Sequence, residues 1–182
     1  MVFNLTVISI TGTPCTGKTE ISKLLSKKLN YRLISINEFA EELNAFTGYD
    51  KKRECRILDM KKLEKEIKKI KENVIIEGHT SHLFPVDIII VLRCNPEILK
   101  KRLDKRYPSN HLKVQENLEA EILGVITSEA VMKNKKVYEI DTSVESVEEN
   151  VSDILNILKG NIDEFKVGKI DWLENYYDLI KL

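Results

Sequence analysis

Short β-branched apolar runs alternate along this chain with longer stretches in which apolar residues recur every three or four positions. The short runs read as buried strands and the longer ones as amphipathic helices. Their alternation predicts βαβ units around a parallel sheet. Five runs qualify as strands: LTVISI at 5–10, YRLISI at 31–36, NVIIEGH at 73–79, VDIIIVL at 86–92 and KKVYEI at 135–140. Between them, Ile21, Leu24, Leu25 and Leu29 share one helical face, as do Leu63, Ile67 and Ile70. Asn37 is placed to cap a helix over NEFAEEL, and Pro96 to open one over 96–106. After a break at 107–110, a long helix is expected over about His111–Met132, and a closing helix over 147–158. Residues 48–56, GYDKKRECR, lose all periodicity and read as a charged loop. The stretch IDWLENYYDLIKL at 170–182 is aromatic and helical in pattern. No repeat or linker divides the chain, so a single α/β domain over 1–182 is expected, with five parallel strands wrapped by helices.

Composition narrows the partners. Lys+Arg and Asp+Glu both number 29 among 182 residues, so no general attraction to nucleic acid or anionic lipid is implied. Cys15, Cys55 and Cys94 are far apart and form no metal-binding pair; an odd number without a secretion signal points to a reducing, cytoplasmic setting. MVFNLTVISI reads as a buried first strand rather than a leader. No apolar run approaches the roughly 20 residues that span a bilayer.

The first strand runs directly into Gly12-Thr13-Pro14-Cys15-Thr16-Gly17-Lys18-Thr19, which matches G-x4-G-K-[ST] in full between a strand and a helix. Glycines let backbone N–H groups turn inward around phosphate oxygens, and the following helix aims its N-terminal dipole at the same anion. Lys18 can reach the β- and γ-phosphates, and the Thr19 hydroxyl can ligate Mg²⁺. The acid that such a loop needs is expected at the end of a neighbouring apolar strand, where Glu77 stands. His79 follows two residues on and could orient an attacking water or support the metal shell. The competing readings are a solvated strand-end acid and an ordinary loop histidine. Arg102 and Arg106 lie four apart on one helical face, suited to clamp phosphoryl charge or simply to form a basic surface. Arg93, just past the fourth strand, is a further candidate; Asp59 could be a helix cap. His82 and His111 have no evident partner, and Cys15 is small filler within the loop.

Taken together, GTPCTGKT, GYDKKRECRILD, IIEGHTSHLFPVD, VLRCNPEILKKRL and NLEAEILGV resemble the adenylate kinase isoenzyme 6 family across nearly the whole chain. The resemblance implies a P-loop NTPase fold of nucleoside-monophosphate-kinase type, with an NMP arm over about 35–55, a short lid over about 105–115 and a tail over about 161–182. It implies ATP-loop roles for Gly12, Cys15, Thr16, Gly17, Lys18, Thr19 and Glu20, a lid arginine at Arg106, and a hydrolytic acid-x-His pair at Glu77 and His79. It further implies magnesium, ATP with AMP or another nucleoside monophosphate, a platform ribosomal protein of the small subunit as partner, no direct nucleic-acid contact, and a monomer. The expected activity is ATP + AMP to 2 ADP with ATP hydrolysis in small-subunit rRNA maturation. A nucleotide-driven assembly factor with little kinase activity, or a kinase of another small acceptor, are the alternatives. The chain departs from the family pattern in Cys15 where glycine is common, in Glu77 where Asp is common, and in having no arginine between Arg32 and Arg53. Arg53 and Arg56 are the candidates to grip an acceptor phosphate.

Overall fold

The computed structural model describes residues 6–134 and 136–181; Leu5, Lys135 and Leu182, at the edges of expected elements, lie outside them. In chain order the first half holds β1 (Val7–Gly12), α1 (Lys18–Leu29), β2 (Arg32–Ser35), α2 (Ile36–Glu42), β3 (Phe46–Asp50), β4 (Cys55–Leu58), α3 (Met60–Ile67) and β5 (Val74–Glu77). The second half holds β6 (Ile88–Arg93), α4 (Pro96–Arg106), α5 (His111–Ile122), α6 (Val125–Lys133), β7 (Val137–Asp141), α7 (Val147–Leu158) and α8 (Leu173–Tyr176).

The five expected strands form one sheet in the order β2-β5-β1-β6-β7, every pair parallel. Period-2 alternation explains its two faces. Ile8 and Ile10 of β1, Ile75 of β5, Ile90 and Leu92 of β6 and Ile140 of β7 meet Ile21 and Leu25 of α1 and Val151, Ile154 and Ile157 of α7. On the other face, Ile34, Val74 and Ile76 meet α3 through Leu63 and Ile67, while Ile89, Val91 and Val137 meet Ala130 of α6. On this second face β1 offers Val7 at its start and then Ser9 and Thr11, both buried. A polar seam therefore runs under α6. Ser9 shares a hydrogen bond with Ser81 at 2.7 Å, and Thr11 Oγ1 lies 3.0 Å from His82 Nδ1. α4 and α5 pack on each other through Leu99, Leu103, Val114, Leu118 and Ile122.

Several local features differ from the sequence-based expectation. The charged loop at 48–56 is part of an antiparallel hairpin, with Tyr49 opposite Arg56 and Asp50 opposite Cys55. The long helix from His111 is two helices, because Gly124 takes φ 60 and starts α6 afresh. α2 begins at Ile36 after Ser35, ahead of the expected Asn37 cap. Asp59 does cap α3, accepting from Lys62 N at 3.0 Å. In the tail, helix is confined to Leu173–Tyr176 and two single 3-10 turns. Residues 105–115 comprise the end of α4, the break at 107–110 and the start of α5. Among the described residues no helix is long and apolar enough to cross a membrane.

Candidate functional site

β1 lies between β5 and β6, so its C-terminal end opens at the middle of the sheet, where chain connections depart in opposite directions. Such a switch point is where open parallel sheets form their ligand crevice. Gly12 has φ 140, and a Cβ there would stand 2.4 Å from the Leu92 carbonyl oxygen, so no other residue fits. Gly17 has φ 89 and caps α1. Between them Cys15 takes φ 73, a left-handed conformation that a side chain disfavours. Thr16 braces the loop: its hydroxyl donates to Thr13 O at 2.9 Å, and its own carbonyl accepts from Thr142 Oγ1 at 2.9 Å.

Lys18 curls back over this ring, with Nζ donating to Gly12 O at 2.9 Å and to Thr13 O at 2.8 Å. Burial lowers its pKa from 10.5 to about 8, against the raising influence of the Glu77 carboxylate. The first-turn amides of α1 have no acceptors within their own helix. Ammonium, amides and helix dipole thus converge on one spot, as an anion site requires.

Glu77 ends β5 beside Ile10 of β1 and is only 8% exposed. Burial raises its pKa, Lys18 opposes the rise, and Thr19 Oγ1 donates to it at 3.4 Å. The Thr19 hydroxyl and the Glu77 carboxylate are hard oxygen donors at the mouth of the loop, which fits a magnesium ion that takes its other ligands from phosphates and water. Among the described residues no three His, Cys, Asp or Glu gather into a metal cage, and a nucleotide-bound magnesium does not call for one. His79 stands two residues beyond, its carbonyl accepting from Thr11 Oγ1 at 3.3 Å. Its ring reaches solvent, but the protein packed around it, and then the nearby Lys18 charge, pull its pKa below the usual histidine value. The imidazole is neutral at pH 7.

Arg102 is drawn against the loop. Nη1 donates to Cys15 O at 3.4 Å and Nη2 to Thr142 O and Ser143 O, each at 3.4 Å. Arg106 is exposed, 5.7 Å over the Tyr107 ring, and its charge is felt at Lys18. Glu20 is the outlier, exposed and paired with Lys23 at 3.6 Å. A cavity of about 480 Å³ between α4 and the tail includes none of these residues, so chemistry rather than volume locates the site.

Other residues have structural partners that spacing could not reveal. His82 is buried, bridging Thr11 and Glu129 Oε2 at 3.0 Å. Arg93 lies beneath the loop in a buried network. Nε donates to Glu121 Oε1 at 2.8 Å and Nη1 to Glu139. Glu121, Glu139 and Trp172 showed no role in the sequence because their hydrogen-bond partners lie 12 to 108 residues away. Arg53, at the hairpin tip, pairs with Glu116 of α5 at 3.0 Å and with Asp50 at 3.1 Å. Arg56 pairs with Glu41 and stacks 3.9 Å over Phe46.

Comparison with known proteins bears on the whole constellation. The AAA domain family matches residues 8–124. A Methanocaldococcus jannaschii protein named "Putative adenylate kinase" is 44% identical over 96% of this chain and 97% of its own length. A Pyrococcus abyssi protein of the same name is 40% identical over 96% of this chain and 95% of its own. Among solved structures, shikimate kinase from Acinetobacter baumannii superposes with a TM-score of 0.63 at 17% identity, covering 87% of this chain and 95% of that one. Deoxyadenosine kinase from M. mycoides gives 0.55 at 21% identity, over 86% and 100%. These structural likenesses establish the fold, a P-loop kinase sheet of nucleoside-monophosphate-kinase type.

Proposed function

Because the chain belongs to the archaeal family that bears the adenylate kinase name, we propose that this nucleotide kinase transfers the γ-phosphoryl of ATP to AMP or a similar nucleoside monophosphate. The observation that carries the reading is the convergence of Lys18, the α1 amides and Arg102 on one loop at the sheet's switch point. Phosphoryl transfer asks little covalent chemistry of a protein; positioning and charge stabilisation do most of it. The loop amides and Lys18 hold the polyphosphate, with Gly12, Cys15, Thr16 and Gly17 supplying the backbone. Thr19 and Glu77 hold magnesium, which neutralises phosphate charge when bound. Arg102 and Arg106 face the charge that develops on transfer. Glu20 contributes its backbone at the first turn of α1. Arg53 is the arginine free to meet an acceptor phosphate, since its pairs with Asp50 and Glu116 are surface pairs worth little to hold. Arg56 also makes only a surface pair, with Glu41, but its stacking on Phe46 gives it more to lose on moving, which favours Arg53.

A second activity, ATP hydrolysis coupled to assembly of the small ribosomal subunit in the cytoplasm through a platform ribosomal protein, is favoured by His79. Its ring, open to solvent two residues beyond Glu77, can orient an attacking water. ADP formation measured with and without AMP separates the two. Turnover that rises well above background with AMP, and disappears in Lys18→Ala, is expected. Turnover indifferent to AMP but lost in His79→Ala would replace the transferase reading with the hydrolytic one.

A further inference from the structure

Glu121 occupies an unusual position between the loop and the tail. It is 2% exposed, and its carboxylate takes four donors. Oε1 accepts from Arg93 Nε at 2.8 Å, Cys94 N at 3.1 Å and Trp172 Nε1 at 3.2 Å, and Oε2 accepts from Thr13 Oγ1 at 2.6 Å. Glu139 mirrors it on the other side of Arg93, taking Thr127 Oγ1 at 2.8 Å and the backbone amide of Gly168 at 3.0 Å. The tail is thus tied by two donors to the two carboxylates that flank one buried guanidinium. A cavity of about 170 Å³ separates it from the α5–α6 junction, so these ties rather than continuous packing hold that stretch.

We propose that Trp172 is a positioning residue for the nucleotide loop, acting through Glu121 on Thr13. The inference rests on the phosphate-binding reading of that loop. One carboxylate shared by an indole N–H and a loop hydroxyl couples their positions, because a buried charge that loses a fixed donor draws more strongly on the donors that remain. Thr13 also presents its carbonyl to Lys18 Nζ and to the Thr16 hydroxyl. Displacing Thr13 therefore moves the cation and the brace together. The tail reaches the phosphates without touching them.

The test compares magnesium-dependent binding of a non-hydrolysable ATP analogue by calorimetry, with steady-state kinetics alongside, in the full chain. Trp172→Phe keeps the ring and removes the N–H. Its affinity for the analogue should fall about fivefold or more, with KM for ATP rising and kcat changing less than about twofold. Thr13→Ser, which keeps the hydroxyl, should bind as the parent does, whereas Thr13→Val should show the Trp172→Phe loss. The double variant Thr13→Val/Trp172→Phe should be no weaker than Thr13→Val alone. Unchanged affinity in Trp172→Phe, or losses that simply add in the double variant, would overturn the coupling and leave phosphate binding standing. Absence of heat in the parent protein would instead remove the nucleotide reading, and this inference with it.

Discussion

Cys15 carries the clearest mark of conflict between a side chain and its backbone. A non-glycine residue at φ 73 costs on the order of 1 kcal/mol, and the loop holds it there through the Arg102 contact to its carbonyl and the Thr16 brace. Cys15→Gly should therefore raise stability by about that amount, read from the denaturant midpoint, whereas Cys15→Val should lower it. Lys18 makes a second residue-level prediction. With its pKa near 8 in the free loop, about half the molecules at pH 8 lack the ammonium proton, and an incoming polyphosphate restores it. Binding at pH 8 should take up about half a proton, less toward pH 6, and affinity should decline as pH rises above 8. Calorimetry in buffers of different ionisation enthalpy measures the uptake. At this scale the sequence was most legible where chemistry is local: eight consecutive residues spell the loop. Trp172 and Glu121 were illegible because each acquires meaning only from a partner brought near by the fold.

At the scale of elements, periodicity located all five sheet strands: β1, β5 and β6 are β-branched runs buried on both faces, and the edge strands β2 and β7 keep a shorter apolar run on the buried side. It missed the β3–β4 hairpin, where the strands expose Tyr49 and Ile57 and the tip is fastened by Arg53 to Glu116, 63 residues away. It also merged α5 with α6, since one glycine within a helical pattern does not show its φ. Gly124 has room for a methyl, the nearest atoms being the Arg93 Nη pair at 3.8 Å, so only backbone conformation opposes replacement. Gly124→Ala should lower stability by about 1 kcal/mol, or Tm by about 2–4 °C. A larger loss would mean that the α5–α6 junction moves Arg93 as well. Arg53→Ala, by contrast, should leave Tm nearly unchanged and raise KM for the acceptor far more than KM for ATP, as separate titrations of the two substrates would show.

In the molecule as a whole, one face of the sheet is conventional apolar packing, and the other carries the seam of Ser9, Thr11, His82, Arg93, Glu121 and Glu139. A buried cation with two carboxylates is costly to form and more costly to break. Arg93→Leu should destabilise by about 3–5 kcal/mol in urea unfolding, well beyond what an exposed arginine costs. The strand that bears the loop has a further consequence. β1 is synthesised before every strand it pairs with, yet its neighbours join it only across separations of 67 residues to the β5 side and 80 to the β6 side. While a ribosome is still extending the chain, the glycine turn has no walls to hold its shape. The earliest-made segment is thus among the last to mature, and capture of a triphosphate by a nascent chain would report that the central sheet has closed around it.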